Sequence, residues 1–453
     1  MIIDTKLRAA SLKTQLEQLF KLSAEKIRSI ERSWNPGQGT PVFTVRGKYT
    51  TRGWTEWTKG FQFGSALLQF DATGDEEFLR LARRKIVGEM ATHVSHIGVH
   101  DHGFNNVSTY GNLWRLIREG KVSATPDEIN FCELALKVSG AVQAARWTPT
   151  GEGGGYIYSF NGPHSLFIDT LRSLRSLSLA HQLGHVLMGE RDLKISLLDR
   201  AMQHVEATAA FAVYYGKGRD SYDVRGRTAH ESIFNTNDGN YRCPNSQQGY
   251  SPFSTWTRGL AWAICGFAEQ LEFFETRPNA EFGPGRRKAF RQTLLEAATA
   301  TADFYIENSC ACGVPVWDTG APHLHQLGDF RTASADPFNR WEPVDSSAAA
   351  IAAQGLMRLG KFLGKKARYD YWAAGLTVLK TLLSEPYLST KTSHQGLLLH
   401  SVYHRPSGWD FIAKGQTVPN GESSMWGDYH LREAALLVLK EIRGEPYLTF
   451  FGK

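Results

Sequence analysis

The chain has 453 residues, 42% hydrophobic and 21% charged, an ordinary globular composition that excludes a disordered or fibrous protein. Its formal net charge of +6 is small for this length, and basic clusters such as Arg286-Arg287-Lys288 stand isolated, which excludes a nucleic-acid-binding stripe. No apolar run approaches the length of a membrane span.

Five scattered cysteines, Cys132, Cys243, Cys265, Cys310 and Cys312, argue against a disulfide framework. The first twenty residues carry charges throughout and lack the apolar centre of a signal peptide. The expectation is a cytoplasmic protein, or a periplasmic one from which a signal peptide was removed, acting as a monomer or weak homo-oligomer. Aromatic residues reach 12%, with 12 Trp, which suits stacking on sugars or bases as well as a bulky core.

In chain order, helical periodicity predicts about twelve segments. They lie near residues 5–32, 56–72, 76–93, 103–118, 126–146, 163–183, 191–215, 254–274, 284–308, 345–363, 366–384 and 428–442. Gly74-Asp75 reads as a turn between the second and third, and Pro163 as the first turn of the sixth. Ser254 or Thr255 is the candidate N-cap of the helix carrying Trp262. Strand signals are few and short, around 155–160, 225–235 and 399–404.

Helices recur evenly with no linker of domain-splitting length, and no repeat period marks an open solenoid. The predicted fold is all-α: a single domain over 1–453, six helical hairpins closed into a ring, with a few short strands in the loops. Loops at one end of such a ring form a funnel, and the longest and most aromatic are 94–106, 147–163, 216–253, 309–345 and 399–427.

The stretch HVSHIGVHDHGFNN, 93–106, spaces His93, His96 and His100 as metal ligands on one helix face often are spaced. The other reading is a hydrogen-bonding frame around Asp101, with no metal; Asp101 itself can instead be a helix N-cap near Gly103. Asp169 sits among Phe167, Ile168 and Leu171, which by desolvation would raise its pKa towards that of a general acid. The plainer alternative is an intrahelical pair with Arg172, three residues on.

In SPFSTWTRGLAWAICGF, 251–267, Arg258 and Trp262 share a helix face and Trp256 stands at its entry. An arginine among indoles can hold a carboxylate while the rings stack on a sugar. It can equally be a core tryptophan helix with a snorkelling arginine. P-loop, dinucleotide, zincin and serine-hydrolase motifs are absent.

Taken in order, WTKGFQFG, HDHGF, SLFIDTLRSLRSL, QGYSPFSTWTRGLAW, VPVWDTGAP with VDSSAAAIAAQGL, and LLHSVYHRP with MWGDYHLREAAL resemble the unsaturated glucuronyl hydrolases of glycoside hydrolase family 88. The match spans roughly residues 50 to 442. It implies an (α/α)6 barrel that needs no cofactor and acts on lyase-generated oligosaccharides ending in a 4,5-unsaturated uronic acid. An aspartic acid protonates C4, water adds at C5, and the hemiketal opens, breaking the glycosidic bond indirectly.

By position the resemblance makes Asp169 the general acid and then base, and Asp101 its partner carboxylate. It makes His100, His230 and Gln248 contacts to the sugar, Trp57, Trp256 and Trp262 the aromatic walls, and Arg258 the arginine near the uronate. Departures are Leu260 where the family motif W-x-R-G-Q-A-W has Gln, and V-W-D-T-G-A-P in place of W-D-F-D-A-P. Unsaturated rhamnogalacturonyl hydrolases, which share barrel and reaction, and a non-catalytic sugar-binding barrel are the alternatives.

Overall fold

The computed structural model describes residues 1–54 and 56–452, apart from the Lys365 side chain. Twelve helices among the described residues alternate between an outer and an inner layer. The outer ones are α1 (Lys13–Ser33), α3 (Glu76–Glu89), α5 (Pro126–Ala145), α7 (Leu197–Phe211), α9 (Arg286–Asn308) and α11 (Tyr371–Leu382). The inner ones are α2 (Lys59–Thr73), α4 (Gly103–Gly111 continuing as Asn112–Arg118), α6 (Thr170–Ser173 continuing as Arg175–Gln182), α8 (Thr257–Glu275), α10 (Ser346–Leu363) and α12 (Met425–Arg443). Each inner helix packs on the next and α12 returns to α2, so the ring closes into the expected (α/α)6 barrel.

Patterning explains the layers. Helix α1 buries Leu16, Leu19, Phe20, Ser23, Lys26, Ile27 and Ile30, one stripe at helical spacing. Helices α8 and α10 are buried nearly all round, which GLAWAICGFA and SSAAAIAAQGL permit because their small side chains let neighbours approach on every face. Each fully buried Leu, Ile or Phe contributes ~1.5–3 kcal/mol of transfer free energy to that core.

Nine short strands among the described residues lie in the connections: β1 (Phe43–Val45), β2 (Lys48–Thr50), β3 (Trp147–Pro149), β4 (Gly155–Ile157), β5 (Ser165–Phe167), β6 (Leu187–Met188), β7 (Lys194–Ile195), β8 (Glu231–Phe234) and β9 (Tyr241–Asn245). Two predicted boundaries move for a stated reason. The helix expected from Pro163 starts at Thr170, because Ser165–Phe167 pairs antiparallel with β8 instead. The segment 399–404 joins no ladder: Leu399, His400 and Ser401 make single backbone bonds to Tyr387, Ser346 and Glu422, and the groups of 402–404 are claimed by side chains. Val402 N–H donates to Asp345, Tyr403 and His404 N–H donate to Asp410, and the carbonyls of Val402 and Tyr403 accept from Arg258.

Between the inner helices lies a buried ionic network. Arg172 pairs with Glu269 and, at 2.9 Å, with Glu433; Arg358 pairs with Glu272 at 2.8 Å. Arg172 is thus turned away from Asp169, and the intrahelical pair expected as the plainer reading of that carboxylate does not form. Removing one partner would strand a buried charge at a cost of about 3–5 kcal/mol. No helix among the described residues is long and apolar enough to cross a membrane.

Candidate active site

A cavity of about 660 Å³ opens where α2, α4, α6 and α8 begin. Trp57 enters it just before α2, Asp101 just before α4, Asp169 just before α6, and Trp256 with Arg258 at the start of α8. The start of α4 is wound as a π-helix, a form frequent at functional sites. There the Thr109 hydroxyl and the Asn112 amide donate to the carbonyls of Asn105 and Ser108.

Two glycines permit the close approach. A Cβ on Gly103 would stand 2.2 Å from the Ser173 carbonyl, so α4 and α6 meet only because it is absent. A Cβ on Gly259 would stand 2.6 Å from the Trp256 indole, which folds back over the start of α8. Neither Ser254 nor Thr255 caps that helix. Trp256 occupies the cap position, and Thr257 N–H donates to the Trp317 carbonyl, following the bridge from Trp256 to Asp318.

Asp101 and Asp169 meet on one imidazole. His100 Nε2 lies 3.2 Å from Asp169 and 3.7 Å from Asp101. Neither carboxylate caps its helix. Burial pushes Asp101 up to about 6, since His100 is too far to hydrogen-bond it and the Asp169 charge adds to the effect. Burial also pushes Asp169 up, but the hydrogen bond and charge of His100, with His230 and Arg258 beyond, outweigh it and hold that carboxyl below the usual range.

His100 is depressed by burial and raised by both aspartates, and the net direction is up. The apolar neighbours of Asp169 predicted a raised pKa for it. The raised carboxyl is Asp101, because the imidazole reaches Asp169 first.

Arg258 lines the cavity, yet its two terminal nitrogens are already engaged with the Val402 and Tyr403 carbonyls and, at 2.8 Å, with Gln248 Oε1. Its guanidinium is sandwiched between Trp256 and Trp426, 4.6 and 4.7 Å from their centroids. The fork expected to clasp a carboxylate instead ties the 402–404 wall to the floor. Each lost charge-assisted hydrogen bond is worth ~1.5–3 kcal/mol, so Arg258→Lys is expected to raise KM roughly ten-fold or more in steady-state assays. An unchanged KM would show that this tether does not shape the pocket.

Trp57 stacks on Trp426 at 5.2 Å, and Trp262 packs against Phe104 at 4.8 Å and His430 at 4.9 Å. Trp262 is only 2% exposed, so it serves the floor and the core together, and truncation to Ala would destabilise by ~3–5 kcal/mol. His230 lies behind the wall. Its Nδ1 accepts from the amides of Gln247 and Gln248, and its ring packs on Phe167 and Trp256.

The remaining histidines of the 93–106 stretch have separate partners. Asn105 donates to His93 Nδ1, while His102 donates from Nε2 to the His96 carbonyl and accepts at Nδ1 from Ser139. His93 is buried. Among the described residues no three His, Cys, Asp or Glu side chains gather as a metal-binding set. Because these lone pairs point to different partners, exhaustive dialysis against a chelator is expected to leave turnover unchanged. A loss restored by one divalent ion would return the cluster to metal binding.

Sequence reasoning missed Trp54, Phe160, Gln247, Tyr403, His404, Ser407 and Trp409, which also line the cavity. For all but Trp54 the only signal was membership of aromatic loops at the funnel end, and Trp54 lies outside the loops named there.

The closed ring and its carboxylate-floored aromatic cavity define the class, an (α/α)6 barrel with an aromatic-walled pocket at one end. No family model matches the chain. It is 27% identical over 411 residues to an unsaturated glucuronyl hydrolase of Bacillus sp. (strain GL1), covering 88% of this chain and 90% of that relative. It is 26% identical over 384 residues to an unsaturated glucuronyl hydrolase of Formosa agariphila, covering 84% and 79%. The crystal structure of the unsaturated glucuronyl hydrolase from Bacillus sp. GL1, described as responsible for glycosaminoglycan degradation, superposes with a TM-score of 0.71. Its identity is 22%, over 96% of this chain and 99% of that one. The resemblance carried by the motif order therefore holds along most of the chain, in sequence and in fold.

Proposed function

We propose that residues 1–453 act as one catalytic domain that removes a 4,5-unsaturated uronic acid from the non-reducing end of lyase-generated oligosaccharides, by hydrating its double bond. One observation carries this reading: two buried carboxyls share His100 at the floor of an aromatic cavity. Hydrating an enol ether needs one positioned proton donor and one water at the developing cationic C5.

In the free site the aspartate pair stores that proton unevenly, on Asp101 and on the His100–Asp169 ion pair. An entering uronate displaces water and adds negative charge, and both effects raise Asp169. The His100 proton, already in a 3.2 Å contact, then moves to Asp169, which delivers it to C4. The water adding at C5 returns a proton to the trio, and the hemiketal opens to release the remaining sugar. Because the proton goes to carbon, the carboxylate-separation rule for retaining and inverting glycosidases does not govern this site.

Four inner helices start at the cavity, and their positive ends favour an anionic sugar there. The free state of all five cysteines supports a reducing, cytoplasmic setting.

The test is a panel of lyase digests. Loss of the conjugated C4=C5 absorbance is expected with glycosaminoglycan products. Turnover confined to rhamnogalacturonan products would select the alternative hydrolase, and binding without turnover would select a sugar-binding barrel.

A further inference from the structure

His100 joins the two carboxyls, yet its ring is held by a hydrogen bond on one side alone. Nε2 meets Asp169 at 3.2 Å, while the buried Nδ1 has no partner among the described residues. Phe160 and Phe167 pack on the ring at 5.9 and 5.6 Å between centroids, contacts that give it no polar direction. An imidazole whose second nitrogen makes no bond takes its place from its own backbone.

That backbone is pinned by two side chains, neither of which lines the cavity. The His100 carbonyl accepts from Gln143 Nε2 at 2.7 Å and from Ser173 Oγ at 2.8 Å. Gln143 Nε2 also donates to Ser173 Oγ at 3.1 Å, and Gly103 N–H donates to the same hydroxyl at 2.8 Å. Gln143 Oε1 accepts from Ser176. Both protons of the amide, both lone pairs of the carbonyl and the whole capacity of the hydroxyl are thereby spent. Gln143 and Ser173 are fully buried, so neither can change partners without stranding a polar group.

The bracket joins three segments. Gln143 stands near the end of α5, and Ser173 one turn after Asp169 on α6. Between them they fasten the loop carrying His100 and Asp101 to the helix start carrying Asp169. One turn before Gln143, Ser139 adds a second anchor, donating to His102 Nδ1 and accepting from the Asn106 amide, each at 2.9 Å. The imidazole lies 3.2 Å from one carboxylate and 3.7 Å from the other, so a small backbone shift would exchange its partners.

We infer that Gln143 and Ser173 are positioning residues: by closing on the His100 carbonyl they set the reach of its imidazole to Asp169 and its distance from Asp101. Their effect on turnover rests on the reaction proposed above.

Two variants test it. Ser173→Ala removes one oxygen from the bracket, and Gln143→Met keeps the length of the side chain without its amide. In each, kcat on an unsaturated lyase disaccharide is expected to fall about ten- to a hundred-fold, with KM held because neither side chain reaches the sugar. The falling limb of the pH–rate profile should move to higher pH. The His100 charge depresses both carboxyls, and the other cations facing them, Arg146 at Asp101 and His230 with Arg258 at Asp169, stay in place. Ser178→Ala, which breaks an equally buried bond on α6, to Gln270 at 3.0 Å, should keep the wild-type kcat and profile. Wild-type kcat and profile in both bracket variants overturn the inference, as does an equal loss in Ser178→Ala.

Wild-type protein inactive on every lyase product would refute the reaction instead. The bracket is then decided by NMR titration of the His100 ring, assigned by its loss in His100→Gln. The two aspartates raise that titration, so it should move to lower pH in Ser173→Ala, and an unmoved titration overturns the bracket.

Discussion

Asp169→Asn is expected to fold, to bind the unsaturated disaccharide, and to turn it over about two to four orders of magnitude more slowly than wild type. The amide keeps the shape of the carboxyl and its place against His100, but it cannot take up the imidazole proton and pass it to C4. Binding survives because the stacking surfaces of Trp57 and Trp256 lie on other segments. The structural alternative for Asp169, an ion pair with Arg172, is already filled otherwise by Glu269 and Glu433, so no stability loss from that source should confuse the result. Loss of the C4=C5 absorbance gives the rate directly. In deuterated water the wild-type product should carry deuterium at C4. Near wild-type turnover by a folded Asn variant would remove Asp169 from the chemistry.

The architecture was legible because its helices announce themselves by period. The stripe of α1 and the apolar run of α8 specify outer and inner positions before any contact is known. The site was legible only in part, and the failures share one cause. Asp169 looked like a raised carboxyl because its chain neighbours are apolar, but its environment is set by His100, 69 residues earlier. Arg258 looked like a free fork, but its acceptors, the Val402 and Tyr403 carbonyls, belong to a loop more than 140 residues later.

That same loop alternates like a strand, yet Asp345, Asp410 and Arg258 take the backbone groups that a partner strand would need. Local sequence fixes periodicity. It does not state which charge arrives from elsewhere.

Asp101 gives the second large effect, and its sign differs between activity and stability. Its carboxyl titrates at about 6 in the folded protein, so it holds a proton below that pH and loses it above. If that proton feeds the His100–Asp169 pair, wild-type kcat/KM should decline as pH rises through about 6. Asp101→Asn should abolish this limb while lowering the rate by about two orders of magnitude. For stability, the folded pKa lies above the unfolded one, so the native state binds more protons between the two values. Native stability then falls as pH rises through about 6, because an ionised carboxylate remains buried 3.7 Å from its nearest cation with no hydrogen bond from it. Asp101→Asn removes that buried charge, and its melting temperature should exceed the wild-type value at pH 7 and converge with it towards pH 4. A residue kept for the fold would lose stability on substitution, whereas one kept for proton storage gains stability as activity falls. A variant that melts lower than wild type at pH 7 and retains the same pH–rate profile would make Asp101 a structural residue and leave His100 and Asp169 alone with the proton.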